Sequence, residues 1–267
     1  MQADYAQRYR TLWDRHWWWR SREKLLVGEI ERIHRRSPLK RILDVGCGDG
    51  LFFDQLSRFG RVEGLEPDPS LLSDPRWRSS IRTDRLDHTF QAEAPYDLLL
   101  MLDVLEHIED DREALRSSIA ALRPGGTLLI TVPALPRLWS RHDEANQHYR
   151  RYLPRTLKSV LLDAGFAIDT LRYAFAWTVG PLLARRWLAP SGSASGVADY
   201  EVTIPSGPIN RALNALSRCD HAIGRLVPWP IGSSLLAIAH RPPMHSAHGI
   251  SIPGRSPVAI ADRLTSR

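Results

Sequence analysis

The sequence contains few cysteines and no long apolar run. Of its 267 residues two are cysteines, Cys47 and Cys219, and their spacing matches neither a metal-ligand pattern nor a disulfide framework. The apolar segment 174–184 is interrupted by Gly180 and Pro181, and it is shorter than the roughly 20 residues that span a bilayer. The N-terminal stretch is polar and lacks the apolar core of a secretory signal. These absences predict a cytoplasmic protein without a bound metal ion.

Acidic residues are outnumbered by basic ones. The formal net charge is +6, the sequence pI is about 9.7, and most of the positive charge comes from arginine. Such a balance favours nucleic acid, an anionic membrane surface or a phosphorylated substrate as partner, or it reflects only an arginine-rich surface. The sequence shows no internal repeat and no separate nucleic-acid-binding module. Its length suits one α/β domain with an appended part.

The chain is organised around residues 41–50, which read Arg-Ile-Leu-Asp-Val-Gly-Cys-Gly-Asp-Gly. The first half predicts a short buried strand, and an apolar run over 51–59 predicts a helix after the glycines. Glycine permits positive φ and close approach of backbone to a ligand, and the start of a helix presents unpaired N–H groups. Strand, glycine turn and helix together predict a cofactor site, although an ordinary strand-to-helix turn is the alternative.

Two acidic residues narrow the choice of ligand. The turn reads Gly-x-Gly-x-Gly and not the dinucleotide pattern Gly-x-Gly-x-x-Gly, and Asp44 precedes its first glycine. A carboxylate there repels a pyrophosphate but pairs with a cationic ligand such as S-adenosylmethionine, which carries an ammonium and a sulfonium. Glu66 ends the second predicted strand, where an acid commonly holds ribose hydroxyls. The alternative for Glu66 is a solvated carboxylate at a strand end.

Four ordered motifs resemble those of the class I S-adenosylmethionine-dependent methyltransferases. They are residues 44–50, Glu66, residues 95–107 and residues 122–133. The resemblance implies an α/β fold with a doubly wound, Rossmann-like sheet of seven mostly parallel strands, and S-adenosyl-L-methionine as the cofactor. The cofactor-binding residues that it implies are Asp44, Gly46, Cys47, Gly48, Gly50, Glu66, Asp84, Asp103 and Arg22. Asp84 ends the predicted third strand, residues 80–84, where the family often has a residue near the adenine amine.

Residues 1–36 predict an N-terminal helical segment with a Trp17-Trp-Trp19 cluster. Three consecutive tryptophans cannot share one side of a helix. The segment around them resembles the pre-domain stretch of one branch of these methyltransferases, which implies a lid over the cofactor with Arg22 near the methionine carboxylate. The alternative is that the aromatic rings pack the helix onto the core.

The apolar run 96–102 predicts a central parallel strand that is buried on both faces. It ends at Asp103, and the ends of such strands line the ligand crevice. The sequence therefore places Asp103 beside the reactive end of the cofactor. Glu106 and His107 follow within four residues. They either lie beside the cofactor or cap or brace the next helix.

The long loop 133–151 is expected to face the acceptor. Catalytic candidates are His142, Asp143 and His148, since histidine titrates near neutral pH and can take a proton from an acceptor hydroxyl. Arg150 and Arg151 would clamp an anion. The alternative is a loop held together by internal His–Asp and Arg–Glu pairs.

The predicted domain boundaries are 1–36 for the lid, 37–173 for the core, 174–232 for an insertion, 233–240 for a last, antiparallel strand and 241–267 for a disordered tail. The insertion would form an interfacial helix, a wall of the substrate cavity or additional core packing.

Methyl transfer to a small-molecule, lipid-linked or glycan-linked acceptor, at an oxygen, is the predicted function, and peripheral contact with an anionic inner membrane face is one expectation. A nucleic-acid methyltransferase is the first alternative, but the segment after the fourth strand lacks the Asn-Pro-Pro-Tyr or Asp-Pro-Pro-Tyr motif of many such enzymes. A nicotinamide oxidoreductase and a non-catalytic cofactor-binding protein are the others. The sequence leaves the oligomeric state open.

Overall fold

The computed structural model describes residues 10–188 and 203–243. Residues 189–202 of the predicted insertion, the tail beyond residue 243 and the first nine residues of the predicted lid lie outside the described residues. The strands are β1 Arg41–Val45, β2 Arg61–Leu65, β3 Ile81–Arg82, β4 Tyr96–Leu102, β5 Leu122–Pro133, β6 Ala167–Ala174 and β7 Ser234–His240. Residues 10–15 are helical. The helices that follow are α1 Trp17–Arg36, α2 Phe53–Leu56, α3 Asp111–Ala121, α4 Arg141–Ala145, α5 Pro154–Asp163, α6 Val179–Leu188 and α7 Gly207–Leu226.

The strands form one seven-stranded sheet in the order β3-β2-β1-β4-β5-β7-β6. Strands β1 to β5 pair in parallel, whereas β7 runs antiparallel to both β5 and β6. The predicted mostly parallel, doubly wound α/β sheet with an antiparallel last strand is confirmed. The chain winds outward from β1 to β3 and then crosses to β4. The carboxyl ends of β1 and β4 therefore flank the switch point at which such sheets bind ligands.

Strand β4 lies at the centre of the sheet because its side chains from Leu98 onward are apolar on both faces. Leu99 and Met101 pack into the cluster that holds α3 and α5, while Leu98 and Leu100 pack on the opposite side against α1. All four are fully buried. This continuous burial is typical of a parallel strand covered by helices on both faces, and it fixes the position of the loop that follows the strand.

Truncating Leu100 to alanine is expected to lower the free energy of unfolding by about 2–5 kcal/mol, because a cavity would form in a close-packed core. Urea denaturation followed by circular dichroism measures the change. Leu162→Ala, on α5, removes the same atoms from a side chain that is 49% exposed, and we expect a shift below about 1 kcal/mol. Equal losses in the two variants would contradict the assignment of β4 to the core.

The tryptophan cluster packs mainly on the segment after β6. The rings of Trp18 and Phe175 have centroids 4.1 Å apart, and those of Trp17 and Trp177 lie 5.2 Å apart. Trp17 is buried, whereas Trp18 and Trp19 are half-buried. These contacts favour the packing alternative for Trp17 and Trp18.

Helix α1 is joined to β6 and α7 by a buried carboxylate. Glu29 accepts hydrogen bonds from Arg172 of β6 at 2.8 Å and from Arg225 of α7 at 3.3 Å, and Arg32 contacts its other oxygen at 2.6 Å. Although burial opposes ionisation, the three arginines hold the pKa of Glu29 below its usual value. Removal of Glu29 would leave the Arg172 guanidinium, whose side chain is 9% exposed, without this carboxylate. The cluster therefore couples the N-terminal helix to β6 and to α7.

The helix after the glycine turn is shorter than the predicted 51–59. Only Phe53–Leu56 is α-helical. At either end the chain makes tighter i to i−3 contacts, from the Phe53 N–H to the carbonyl of Gly50 and from the Phe59 N–H to the carbonyl of Leu56. The N-cap residue provides no side-chain hydrogen bond. The apolar pattern therefore identified the buried face correctly but overstated the length of regular helix.

Candidate cofactor and acceptor site

The glycine turn lies at the carboxyl end of β1. Gly46, Gly48 and Gly50 all have positive φ, at 66°, 54° and 70°. A Cβ on Gly46 would lie 2.6 Å from Cγ2 of Val104, whereas a Cβ on Gly48 would meet nothing within 4 Å. Gly46 is thus required by packing as well as by backbone geometry. Gly48 instead borders open space, which leaves room for a ligand against the backbone.

Asp44 supplies a buried negative charge beside this turn. Its side chain is 4% exposed, and none of the described residues donates a hydrogen bond to it. Burial raises its pKa to about 7, and the nearby charge of Glu66 adds to this effect while Arg22 opposes it. A buried carboxylate without a donor is stabilised by a cation. The amino group of S-adenosylmethionine would supply one, so the residues present fit this cofactor.

Binding of S-adenosylhomocysteine is expected to tighten about tenfold between pH 6 and pH 8, because Asp44, with a pKa of about 7, must be ionised to pair with the ligand's ammonium. Below that pKa the carboxyl is neutral and the attraction is lost. Calorimetric titrations across this range measure the effect. In Asp44→Asn the affinity should be weaker and should no longer vary with pH; an unchanged pH profile would exclude Asp44 as its source.

Glu66 follows β2 and faces the glycine turn. Its two carboxylate oxygens accept hydrogen bonds from the backbone N–H groups of Gly48 and Asp68, each at 3.0 Å. Each carboxylate oxygen has two acceptor positions, so capacity remains for the two ribose hydroxyls that the sequence assigns to Glu66. The same contacts fix the position of the glycine turn relative to the loop after β2.

Asp49 stabilises the site in a way that the sequence analysis missed. Its carboxylate accepts hydrogen bonds from the backbone N–H of Ser73 at 2.7 Å and of Asp74 at 2.6 Å, and it pairs with Arg10. Arg10 also contacts Asp74 at 3.1 Å. The described part of the N-terminal segment is therefore tied to the glycine turn. The only sequence signal was the position of Asp49 between two glycines.

Two other predicted cofactor residues have partners of their own. Asp84 is exposed and forms an ion pair with Arg82 of β3, so its proximity to an adenine ring stays a prediction. Cys47 is half-buried, and its Sγ lies 3.6 Å from the carbonyl oxygen of Gly48. Burial raises the pKa of its thiol, so Cys47 is a packing residue of the turn and not a reactive thiolate.

Arg22 reaches the carboxyl ends of β4 and β5. It contacts the Asp103 carboxylate at 2.8 Å and the Thr131 hydroxyl at 3.1 Å. Asp103 has a φ of 58°, which is uncommon for a residue with a side chain and often marks a functional turn. A guanidinium has five N–H donors. Contact of Arg22 with the methionine carboxylate therefore remains a prediction that its present partners allow.

The loop after β5 contains a buried Asp–His pair. Asp143 is fully buried within α4, and its Oδ1 lies 2.9 Å from Nδ1 of His148 and 2.7 Å from Nε of Arg151. Burial alone would raise the pKa of Asp143, but the hydrogen bonds of His148 and Arg151 hold it well below its usual value. An ionised Asp143 favours the proton on Nδ1 of His148 and leaves Nε2 as an acceptor.

His148 borders a cavity of about 410 Å³ that is also lined by His107, Gln147 and Tyr149. The rings of His107 and His148 have centroids 4.5 Å apart. His142 is not among these lining residues; its ring centroid lies 6.2 Å from that of His148, and the amide of Asn146 contacts it. The structure therefore distinguishes His148, which borders the cavity, from His142, which is not among its lining residues. The sequence had presented both as candidates.

Glu106 adds a buried acid to this region. Its side chain is 1% exposed, and neither carboxylate oxygen has a hydrogen-bond partner. Burial and the nearby charge of Asp103 raise its pKa well above the usual value. One potential metal-ligand atom from each of Glu106, His107 and His148 lies within 4.8 Å of the other two. A divalent ion could bridge atoms at this spacing. The sequence analysis expected no metal ion and did not foresee this cluster.

Neither Glu106 nor His107 caps the next helix. Asp110 does so by accepting a hydrogen bond from the backbone N–H of Glu113 at 2.9 Å. Capping of this helix by Glu106 or His107 is therefore wrong, whereas bracing of the helix by these residues stays a prediction. Their position in a single 3-10 turn directly after Asp103 instead directs them toward the loop after β5.

Arg150 and Arg151 are held by internal partners. Arg150 contacts the Asp111 carboxylate at 2.8 Å and the carbonyl of Glu109 at 2.6 Å. Arg151 contacts Asp143 and the carbonyl of Ala134. These contacts favour the alternative in which internal pairs hold the loop, with the arginines orienting its backbone and not binding an anion.

A comparison with known protein families agrees with the glycine turn, with Asp44 and Glu66 beside it, and with the order of the strands. The family model described as a methyltransferase domain matches residues 18–171. The chain belongs to this family. Its class is that of the S-adenosylmethionine-dependent class I methyltransferases, with S-adenosyl-L-methionine as cofactor, as the sequence motifs predicted.

Curated relatives are ubiquinone biosynthesis O-methyltransferases. That of Xanthomonas campestris pv. campestris strain B100 is 30% identical over 128 residues, which is 44% of this chain and 54% of the relative. That of Pectobacterium atrosepticum is 26% identical over 162 residues, or 52% of this chain and 65% of the relative. The matched region thus spans a little over half the length of these curated relatives.

Two solved structures that are described as containing a methyltransferase have folds similar to that of this chain. A chain from the complex of the Haloferax volcanii Trm112 activator with a methyltransferase is 17% identical, with a TM-score of 0.56 and coverage of 91% of this chain and 96% of that one. The N-methyltransferase NodS of Bradyrhizobium japonicum WM9 in complex with S-adenosylhomocysteine is 16% identical, with a TM-score of 0.52 and coverage of 87% and 91%. At these identities the likeness shows the fold.

Proposed function

We propose that this methyltransferase moves the methyl group of S-adenosylmethionine to an oxygen of a small-molecule or lipid-linked acceptor. The observation that carries the proposal is the buried Asp143–His148 pair at the edge of a cavity. A general base is needed when the acceptor is a weak nucleophile such as a hydroxyl. The similarity to ubiquinone biosynthesis O-methyltransferases supports oxygen as the acceptor atom.

The chain's first task is to hold the cofactor at the mouth of the sheet. Asp44 would pair with the amino group, Glu66 with the ribose hydroxyls, and the backbone at Gly48 with the ligand surface. When bound, S-adenosylmethionine supplies a methyl group already activated by its sulfonium. The residues around the cavity then need mainly to align the acceptor, and alignment alone can lower a barrier by about 7–11 kcal/mol.

The second task is removal of the acceptor's proton. Nε2 of His148 would accept the hydroxyl proton as the acceptor oxygen attacks the methyl carbon, and Asp143 would stabilise the resulting imidazolium. His107 lies beside His148, and burial together with the charge of His148 lowers the pKa of His107. A neutral His107 is therefore suited to hydrogen-bond an acceptor without competing for its proton.

The experiment is incubation of the full chain with labelled methyl donor and a cell lysate fractionated into lipid, small-molecule and nucleic-acid pools. Label in the lipid or small-molecule pool, in a product whose methyl group is located on oxygen by mass spectrometry, supports the proposal. Label only in nucleic acid would contradict the proposal. No label in any pool, with cofactor binding intact, would favour a non-catalytic protein.

Removal of metal ions by a chelator distinguishes two roles for His148, general base and metal ligand. If His148 acts as a base, activity should survive exhaustive dialysis against EDTA, because no metal ion takes part. If Glu106, His107 and His148 hold a divalent ion, activity should fall on dialysis and return when the ion is restored. A chelator-sensitive enzyme would overturn the base assignment but leave the methyl-transfer proposal standing.

A further inference from the structure

Three arginines surround the buried carboxylate of Glu29 where α1, β6 and α7 meet. Arg32 lies on α1, Arg172 on β6 and Arg225 on α7, and each forms an ion pair with Glu29. We define these four residues as the Glu29 cluster. Three guanidinium groups against one carboxylate leave two positive charges that the cluster does not neutralise by itself.

The acceptor capacity of Glu29 is already used. Its Oε1 accepts hydrogen bonds from Nη2 of Arg172 at 2.8 Å and from Nε and Nη2 of Arg225 at 3.4 Å and 3.3 Å, and Arg32 donates to its Oε2 at 2.6 Å. A carboxylate offers about four acceptor positions, whereas each guanidinium has five N–H donors. Within residues 10–188 and 203–243 the three arginines have no other hydrogen-bond partner. Several of their donors are therefore available to a ligand.

Solvent reaches two of the three guanidinium groups. The side chains of Arg32 and Arg225 are 35% and 32% exposed, whereas those of Arg172 and Glu29 are 9% and 6% exposed. A ligand from solution can therefore contact Arg32 and Arg225, while Arg172 adds positive charge from the buried side.

The excess charge acts on neighbouring titratable groups. Burial lowers the pKa of Arg225, and the charges of Arg32 and Arg172 add to this effect while Glu29 opposes it. His221, one turn before Arg225 on α7, is buried, and neither of its ring nitrogens has a hydrogen-bond partner. Burial lowers the pKa of His221 to about 4, and the charges of Arg172 and Arg225 contribute to this shift. Glu29 thus leaves a positive potential uncompensated.

No second acid balances the cluster in the part of the chain that the structure describes. Glu29 is the only acid there that forms an ion pair with any of the three arginines. Asp220 is the only acidic residue of α7, and its Oδ1 accepts hydrogen bonds from the backbone N–H groups of Ala176 and Trp177. A counter-charge for the cluster would therefore come from a ligand.

A glycine inside α1 makes room for the Arg225 guanidinium. A Cβ on Gly28 would lie 2.8 Å from Nη2 of Arg225. Gly28 and Arg32 are four residues apart and so lie on the same face of α1, one turn from each other. Arg225 therefore crosses α1 beside Arg32, which brings the two exposed guanidinium groups to one site.

We propose that a phosphate group binds to the Glu29 cluster, held between the guanidinium groups of Arg32 and Arg225. A phosphate monoester has a charge of about −1.5 to −2 at neutral pH, which matches the excess charge of the cluster. Guanidinium groups bind phosphate oxygens in pairs of parallel hydrogen bonds. The proposal goes beyond the proposed function and does not depend on it.

The phosphate site is separate from the cofactor site. Strand β6 forms one edge of the sheet and lies four positions from β1 in the strand order. At about 4.8 Å per strand this is a separation of roughly 19 Å. A phosphate on the Glu29 cluster would instead connect α1 to α7, because its two main ligands belong to these helices.

The test is calorimetric titration of the full chain, in buffer of low ionic strength, with inorganic phosphate. We expect saturable one-to-one binding. Arg32→Gln with Arg225→Gln should weaken it by about tenfold or more, because hydrogen bonds to charged groups commonly contribute this much. Gly28→Ala favours the helix but displaces the Arg225 guanidinium, so we expect it to weaken binding by about threefold or more.

Glu29→Gln distinguishes a phosphate site from an ion-pair network with a purely structural role. Loss of the competing carboxylate frees arginine donors and increases the positive charge, so phosphate should bind about threefold or more tightly. In dilute buffer the variant should melt below the wild type, and phosphate should raise its melting temperature more than that of the wild type. If Glu29→Gln does not fold, Gly28→Ala still tests the proposal.

The matched control lies on α5. Arg155 and Lys158 are exposed on that helix, and Arg155→Gln with Lys158→Gln removes the same charge as the variant of the cluster. Phosphate salts also stabilise folded proteins without binding to a site, and the control measures this general effect. We expect its phosphate affinity to stay within about twofold of the wild type. Circular dichroism of each variant checks that the fold is retained.

Further probes distinguish a soluble phosphate ester from a lipid headgroup. Among the described residues, no helix is long and apolar enough to cross a membrane. Glycerol 3-phosphate should displace inorganic phosphate, and glycerophosphocholine, a diester with a single phosphate charge, should do so less well. Flotation with phosphatidic acid vesicles that Arg32→Gln with Arg225→Gln abolishes would identify a lipid as the source of the phosphate. Absence of flotation would identify a soluble ester.

Any of three results would overturn the proposal. The first is no saturable binding of inorganic phosphate to the wild type. The second is equal weakening in the α5 control and in Arg32→Gln with Arg225→Gln. The third is unchanged phosphate affinity in Gly28→Ala together with a folded Glu29→Gln variant that binds phosphate no more tightly than the wild type.

Discussion

Replacing Gly46 with arginine is expected to abolish S-adenosylhomocysteine binding, with an affinity loss of at least about 100-fold. Any side chain at this position would begin 2.6 Å from Val104 and would require a φ of 66°. Equilibrium dialysis with labelled ligand measures the loss.

The control is Gly125→Ala, at a glycine whose φ is 74° but which lies between α3 and the middle of β5, away from the carboxyl ends of the strands. It introduces comparable backbone strain without a side chain near the ligand. We expect Gly125→Ala to lower stability and leave ligand affinity unchanged. If Gly46→Arg bound the ligand as tightly as the wild type, the glycine turn would not be the cofactor site.

Replacing His148 with asparagine is expected to lower kcat by about 10²- to 10⁴-fold, which is the usual contribution of a positioned general base. Cofactor affinity should change less than twofold, because His148 lies in the loop after β5 and not against the glycine turn. Single-turnover methyl transfer, measured with saturating cofactor, isolates this effect from binding.

His142→Asn is the matched control because His142 lies on the same loop, with its ring centroid 6.2 Å from that of His148. We expect less than tenfold loss of kcat in this variant. A larger loss of kcat in His142→Asn than in His148→Asn would instead assign the general base to His142. Full activity in both variants would indicate an acceptor that needs no base, such as a thiolate or an amine.

Local sequence was sufficient for the cofactor half of the site. The apolar run of β4 predicts burial on both faces, and the alternation of apolar segments with glycine turns predicts the parallel order, because these patterns act within a few residues. Asp44 and Glu66 were identifiable because each ends a strand beside a turn. The antiparallel final strand was expected only through the family resemblance, since its pairing with β5 and β6 joins residues far apart in the chain.

The acceptor half of the site could not be predicted from local sequence. The sequence shows His142, Asp143 and His148 as neighbours, but only the folded loop decides that Asp143 contacts His148. The Arg22–Asp103 pair joins α1 to the end of β4 across 81 positions of the chain, and no local pattern signals such a contact. Glu106 resembled a helix cap in sequence, and its burial without a donor appears only after the surrounding loop is placed.

The aromatic cluster illustrates the same limit. Three adjacent tryptophans point in different directions from α1, so their rings must have different neighbours. The sequence does not show which residues those neighbours are. Their contact with Phe175 and Trp177 depends on how the chain leaves β6, at a residue with left-handed backbone. Burial of aromatic rings against a distant loop is a tertiary property, so periodicity alone left the lid and packing alternatives open.

The central claim is that a pocket beside Asp44 and Glu66 holds a methyl-donor nucleoside. Calorimetric titration of the wild-type chain with S-adenosylhomocysteine, alongside a parallel titration with NAD, tests it most directly. We expect saturable one-to-one binding of S-adenosylhomocysteine and no heat with NAD. Binding of NAD alone, or no binding of either ligand at pH 8, where Asp44 is ionised, would contradict the account.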